Sequence, residues 1–356
     1  MKWSFQIGSV FSIPIKVHIT FLILLVFVAL VGEDLHQSVF GVLFVILVFV
    51  CVVIHELSHS LVAIRFGHRV RSIILLPIGG MAQMDEIPED PKQEILISLA
   101  GPLASIVISG ILLVVLLVMD IPITFWSEDS LFEGNMALNL FWINLILAAF
   151  NIIPAFPMDG GRVLRGILGM FMEHMKATRI AVFVGQALAV VLFFTGILYN
   201  WWLALIAVFI YLGAEGEERI WAMRTALADA PVREVMLTDF VSFSPNDNLK
   251  AASEAFLHTL QGNFPVLFGK TLMGVLTRED IIRGIGEGRE TERIAEVMNR
   301  KFDVTTENTK LVTLYKEMSE KHVSMMPVVR GDKLVGIVTM EQIGRYHMLS
   351  AARGAR

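Results

Sequence analysis

Between residues 17 and 213 the chain alternates long apolar runs with short polar stretches. The runs lie near 17–32, 39–64, 95–119, 136–153 and 178–198, with a shorter one at 201–213. A helix needs about 20 apolar residues to cross a bilayer. The pattern therefore predicts a polytopic α-helical membrane protein with about six transmembrane helices. The last pair is separated only by the weak turn in "TGILYNWW". The first sixteen residues, "MKWSFQIGSVFSIPIK", alternate apolar and polar with Gly and Pro breaks. That reads as a short β-hairpin and not as a cleavable signal peptide.

From about residue 225 the pattern changes, and 231–349 carries the charges, turns and alternating strands of a soluble α/β domain. The boundary gives a membrane domain at 1–224 and a tail at 225–356, joined by a linker expected to be helical. The tail repeats itself. "VREVM" returns as "IAEVM", "FPV" as "MPV" and "GVLT" as "GIVT", each pair 62 positions apart (236 and 298, 266 and 328, 277 and 339). A gapless repeat of this length means two copies of one unit, near 231–290 and 293–349. Each copy reads helix, strand, strand, helix. The pair resembles a tandem of cystathionine-β-synthase (CBS) domains, a resemblance that implies an adenine nucleotide as ligand and a homodimer as one mode of assembly.

Composition agrees with a membrane protein. The chain is 55% hydrophobic and only 18% charged, with a mean hydropathy of +0.65, against about 25% charge in a soluble domain. The net charge of −5 comes without any basic block that would suit nucleic acid. The single cysteine, Cys51, excludes an intrachain disulfide and a cysteine-cluster metal site. Lys2, Lys16, Arg65, Arg69, Arg71, Arg162, Arg165 and Arg219 fall on one side of the expected spans. The opposite loops hold Glu33, Asp34, Asp120, Glu128, Asp129 and Glu133. The positive-inside rule then places both termini in the cytoplasm, in a multi-pass protein of a prokaryotic cell membrane.

One apolar run contains "VVIHELSHSL". Ionisable side chains in hydrocarbon are costly unless they pair. His55 and His59 are spaced i, i+4, so on a helix they share a face about 6 Å apart. Both imidazoles can then reach one Zn²⁺ at about 2.0–2.1 Å. Glu56 sits beside the first histidine, where it can accept a proton from water at the ion. H-E-x-x-H is a metalloprotease signature. His55 lies ten residues before Arg65, about 15 Å into the membrane. Cys51 shares the histidine face but rises about 12 Å above His59, too far to share the ion.

A catalytic zinc normally takes a third protein ligand. The strong candidate is Asp159 in "NIIPAFPMDGGRVLRG", where two prolines break the end of the fourth span and two glycines follow the aspartate. Non-helical backbone at membrane depth is tolerated only where it is buried in protein or lines a wet cavity. The plain alternative is an Asp-Gly turn. His68, His174 and the Asp85–Glu86 pair lie outside the spans and are weaker candidates.

"HELSH" in an early span and "NIIPAFPMDGG" later are together similar to the site-2 protease family of intramembrane zinc metalloproteases, over about residues 1–215. "FSIPIKVHITF", "LPIGGMAQM" and "AGPLAS" match further. The resemblance implies one zinc per chain on His55, His59 and Asp159, with Glu56 as general base. It also implies Asn151 as a residue that helps hold substrate or the oxyanion. The substrate would be a membrane protein, cleaved within a transmembrane segment. Where the family often has Asn after "GPxx", this chain has Ser105.

Two further expectations concern substrate and ligand. The "IGGM" stretch, with Gly79, Gly80 and Met81, suggests an edge strand on which an unwound substrate could pair. In the tail, Thr277 and Asp280 have the Thr-x-x-Asp spacing that holds nucleotide ribose and phosphate in CBS pairs. The second copy has Thr339 and Gln342 instead. Ser/Thr-x-x-acid is also a helix capping box. The alternative reading of the whole chain is a CBS-regulated ion or metal transporter. A carboxylate beside a histidine pair at protease spacing argues against it.

Overall fold

The computed structural model of the protein describes residues 3–77, 79–84, 90–124, 134–227 and 230–354. Lys2, Ile78, the Asp85–Glu86 pair, Glu128, Asp129 and Glu133 lie outside the described residues. The chain divides into two units, Met1–Arg219 and Ile220–Arg356.

The first unit opens with the expected hairpin, β1 (Ser4–Val10) and β2 (Ile13–His18). Its turn falls at Phe11 and Ser12, both with positive φ, which is the backbone of a tight two-residue hairpin. Neither Gly8 nor Pro14 makes the turn; Gly8 marks a shift of register within β1. Helix α1 (Ile19–Val31) follows, then α2 (Leu35–Arg65), β3 (Val70–Leu76) and β4 (Gly79–Met84). The four strands form one sheet in the order β1-β2-β3-β4, with β2 and β3 parallel and the other pairs antiparallel. Val17, Ile15 and Ile13 of β2 and Ile73 and Leu75 of β3 pack with Phe21 of α1 and Phe49 of α2 in one buried cluster. The sheet is thereby fastened to the helix that carries the histidines.

Next come α3 (Pro91–Val118), α4 (Met136–Ile152), α5 (Asp159–Gly169), α6 (His174–Tyr199) and α7 (Trp201–Leu227). Asp34, Asp90 and Asn135 cap α2, α3 and α4, each accepting backbone N–H groups of the first turn. Helix α3 packs on α2, α4 and α5. Its buried Ser98, Gly101, Ser105 and Ser109 form a stripe of small residues that lets apolar helices approach closely.

Among the described residues, α2, α3 and α6 are long and apolar enough to cross a membrane. Helices α1 and α4 are apolar but shorter, at 13 and 17 residues. The weak turn between the last two apolar runs is a real break. Asn200 ends α6, and its side chain accepts the Trp202 N–H at 3.0 Å to start α7. Gly196 permits the return, since a Cβ there would meet the Ala204 and Leu203 backbone. Pro154 and Pro157 lie in the non-helical stretch that breaks the end of α4, and the two glycines after Asp159 belong to the first turn of α5.

The second unit contains two copies of the repeat. The first has α8 (Leu249–His258), β5 (Phe264–Phe268), β6 (Thr271–Leu276) and α9 (Arg278–Gly286), after which α10 (Ile294–Val297) leads on. The second has β7 (Thr305–Thr306), α11 (Leu311–Lys321), β8 (Met325–Arg330), β9 (Lys333–Thr339) and α12 (Met340–Gly354). Both show the helix-strand-strand-helix order. Val275 of the first copy and Met325 and Ile337 of the second are buried together.

Candidate metal centre

Helix α2 presents His55 and His59 one turn apart, with ring centroids 4.9 Å apart. Both are buried. Asp159 reaches them from the first turn of α5. Its Oδ2 lies 3.3 Å from His55 Nε2 and 3.1 Å from His59 Nε2. Among the described residues, these three bring one ligand atom each within 4.8 Å of the others.

Those separations fit a metal. Ligand atoms at about 2.1 Å from a tetrahedral ion lie about 3.4 Å from one another. The donor set, two imidazoles and one carboxylate, suits catalytic zinc and leaves a fourth position for water or substrate. The hydrogen bonds on the far side of each ring agree. His59 Nδ1 donates to the Ile97 carbonyl at 2.6 Å, and a carbonyl can only accept. In a neutral ring that leaves Nε2 with its lone pair, as a metal ligand requires. His55 Nδ1 lies 3.0 Å from Ser105 Oγ, which serves as acceptor when Nε2 is a ligand. Ser105, which departs from the family pattern, therefore supports the His55 ring.

Glu56 turns toward the sheet. Its Oε2 accepts the Ala82 N–H of β4 at 3.1 Å. Gly80, two residues earlier, makes room for this contact. A Cβ there would lie 2.6 Å from Glu56 Cγ and 3.1 Å from Val52 Cγ1. Among the described residues strand β4 pairs only with β3, so Gly79, Gly80 and Met81 lie on an edge strand beside the glutamate. Asn151 occupies the last turn of α4, where its Nδ2 donates to the Leu147 carbonyl at 2.9 Å. Cys51 lies beside Asn144. His68 pairs with Gln93 at 3.0 Å.

Sequence reasoning passed over Gly101. A Cβ on it would run into the Nε2 atoms of both His55 and His59. A signal was available: Gly101 and Ser105 sit four apart in an apolar run, the small-residue spacing of close helix contact. Arg165 reads from the sequence only as one of the basic residues of the cytoplasmic side. It is fully buried and paired with Glu94 of α3 and Glu217 of α7.

In the second unit, Thr277 and Asp280 form a capping box at the start of α9. Thr277 Oγ1 is 2.7 Å from Asp280 Oδ2, and Asp280 also accepts from Arg283 at 2.5 Å. Gln342 keeps the same cap in the second copy, accepting the Thr339 N–H at 2.9 Å. A cavity of about 550 Å³ opens between the copies. Its lining includes Asp239, Gln261, Arg278, Thr339, Gln342 and Arg345, and neither Thr277 nor Asp280 belongs to it. Glu279 also lines it, its carboxyl held below the usual carboxylate range by hydrogen bonding to its own backbone N–H and then by Arg278.

The sequence model of peptidase family M50 matches residues 43–133 and 121–193, and that of the CBS domain matches 232–287 and 294–347. The zinc metalloprotease MJ0392 of Methanocaldococcus jannaschii is 35% identical over 347 residues, 97% of this chain and 96% of that protein. The chain belongs to peptidase family M50. A putative zinc metalloprotease of Synechocystis sp., sll0528, is 30% identical over 79% of this M50 chain and 78% of its own length. The solved structure of a site-2 protease from M. jannaschii shares 39% identity, covering 61% of this chain and 96% of that one, with a TM-score of 0.45. Membership makes the protein a metallopeptidase of the site-2 protease family, which weighs against the transporter reading, and the CBS matches give it a tandem CBS pair.

Proposed function

We propose that the protein is an intramembrane zinc endopeptidase that cleaves transmembrane segments of other membrane proteins. The observation that carries this is the spacing of His55, His59 and Asp159, with Glu56 adjacent, where both histidines sit on a helix long and apolar enough to cross a membrane and Asp159 reaches them from the short α5. The proposal includes one zinc per chain, six spans and cytoplasmic termini in a prokaryotic cell membrane. The pairing of Arg165 of α5 with Glu94 in the first turn of α3 and with Glu217 of α7 supports a common side for these charged segments.

Zinc held by His55, His59 and Asp159 would supply Lewis-acid activation of water and of the scissile carbonyl. Glu56 takes the proton of the attacking water and hands it to the departing amine. Asn151 keeps a second amide N–H beyond the one given to Leu147, and donates it to the developing oxyanion. A transmembrane helix has no free peptide bond, so the substrate unwinds before attack. Its extended segment adds to the open edge of β4 at Gly79, Gly80 and Met81, next to Glu56.

The test uses purified full-length protein with candidate membrane-protein substrates, with and without a zinc chelator. Cleavage abolished by chelation and restored by Zn²⁺ is the expected result. Asp159→Ala is expected to lower zinc affinity at least tenfold, as loss of one of three ligands requires. Undiminished affinity removes Asp159 from the metal.

We further propose that an adenine nucleotide binds the CBS pair and tunes the protease. The cavity is within the usual range of about 300–1,000 Å³ for small-ligand sites, and Thr339, Gln342 and Arg345 offer polar groups to it. Calorimetry of the full-length protein with AMP, ADP and ATP is expected to show binding. Thr339→Val should weaken it if the cavity is used, and Asp280→Ala should weaken it if the first-copy motif is used. No binding at millimolar concentration leaves the tail as a dimerisation module.

A further inference from the structure

Asp159 is aimed by a short helix that has little of its own to hold it. Helix α5 is 11 residues long and begins with three residues, Asp159, Gly160 and Gly161, of which two are glycine. Besides its packing on α3 and α6, it is anchored by Arg165, less than two turns further on. The guanidinium is fully buried. Nε and Nη2 donate to Glu94 Oε1, and Nη1 donates to Glu217 Oε1 at 3.1 Å. It also lies over the Phe156 ring, 5.0 Å from the centroid, in the loop that leads to Asp159. One side chain therefore ties α5 to α3, to α7 and to its own preceding loop.

Helix α7 bears on this assembly at two points one turn apart. Glu217 meets Arg165. At Gly213, a Cβ would lie 2.7 Å from Pro157 Cδ, so α7 also presses on the loop before Asp159. The same helix continues past Arg219 to Leu227, which is buried in the core of the second unit with Val232, Leu311 and Met326.

We infer that Arg165 is a positioning residue for Asp159, and that Glu217 is the contact through which α7, the helix shared with the CBS unit, sets the metal site. The inference rests on the zinc reading above. Its logic is electrostatic as well as steric. One buried guanidinium serves two carboxylates. Removing Arg165 strands both, which endangers the fold. Neutralising Glu217 leaves the Arg165–Glu94 pair intact, so the protein folds, while the charge-assisted tie of α5 to α7 is reduced to a weaker neutral hydrogen bond.

Glu217→Gln is accordingly the informative variant. Glu215→Gln is its control: it removes the same charge from the same helix, but Glu215 pairs with Arg219 on the surface at 2.6 Å. Zinc-loaded full-length protein in detergent is mixed with excess chelator, and the rate of zinc release is read together with the thermal midpoint. Glu217→Gln is expected to release zinc about tenfold faster than wild type, as loss of a support behind a ligand does. Its midpoint after metal removal should match that of metal-free wild type. Glu215→Gln should behave as wild type in both. Gly213→Ala, which pushes Pro157, should accelerate release by the independent contact. Wild-type release from both Glu217→Gln and Gly213→Ala overturns the inference, as does acceleration by Glu215→Gln of equal size. If Asp159→Ala itself retains zinc at wild-type affinity, the zinc reading is what fails.

Discussion

Glu56→Gln is expected to leave zinc affinity unchanged and to lower peptide hydrolysis at least a hundredfold. Glutamine has the shape of glutamate and keeps an oxygen that can accept the Ala82 N–H now bonded at 3.1 Å. The contact between α2 and β4 therefore survives, and neither imidazole loses a partner, since His59 leans on Ile97 and His55 on Ser105. What disappears is the basic carboxylate. General-base catalysis is worth about 10²–10⁴ in rate, so the loss is large without any change in fold. Glu56→Ala would confound the result by also leaving the Ala82 N–H without its acceptor. Measuring zinc content and cleavage on the same glutamine sample separates chemistry from structure. Cleavage within tenfold of wild type would remove Glu56 from its role as base.

The sequence disclosed the histidine pair because its pattern is local: one helix turn sets both residues on a face, and the apolar run makes their burial costly. The spacing of "HELSH" needs no tertiary information. Asp159 was legible for a different reason, as a carboxylate beside backbone that no apolar helix would tolerate without cause. The supports of these residues were not legible. Gly101 and Ser105 act on α2 from α3, and Ile97 acts through its carbonyl, which any residue type would supply. Arg165, Glu94 and Glu217 are distant in sequence, and only the packing of three helices turns three ordinary surface charges into one buried cluster. In the tail, the repeat was visible as a fixed offset. The distinction between a ligand site and a capping box was not, because Thr-x-x-Asp meets both needs, and the fold uses it at Thr277 and Asp280 as a cap. The hairpin was anticipated from alternation, but its turn fell on Phe11 and Ser12, residues with no intrinsic preference for positive φ.

Gly101→Ala is expected to remove zinc from an otherwise folded protein. On helix propensity alone the change is favourable, since alanine exceeds glycine by about 0.8–1.0 kcal/mol inside a helix. The contact reverses the sign. The new methyl would occupy the space of His55 Nε2 and His59 Nε2 and sit 2.6 Å from His59 Cε1. Either the imidazoles turn away from Asp159 or α3 withdraws from α2. Overpacking of this kind costs about 1–3 kcal/mol, which outweighs the propensity gain. Both escapes move ligand atoms that must meet within a few tenths of an ångström at one point. Zinc affinity should fall by at least the 10–100-fold seen when the support of a ligand is lost, and cleavage should fall with it. Gly110→Ala is the matched comparison: it lies on the same helix, and a Cβ there meets nothing within 4 Å. That variant should keep zinc and activity and gain up to about 1 kcal/mol of stability. If Gly101→Ala binds zinc as tightly as Gly110→Ala does, the two helices have slack at their contact, and the close approach of α3 is not what holds the histidines in register.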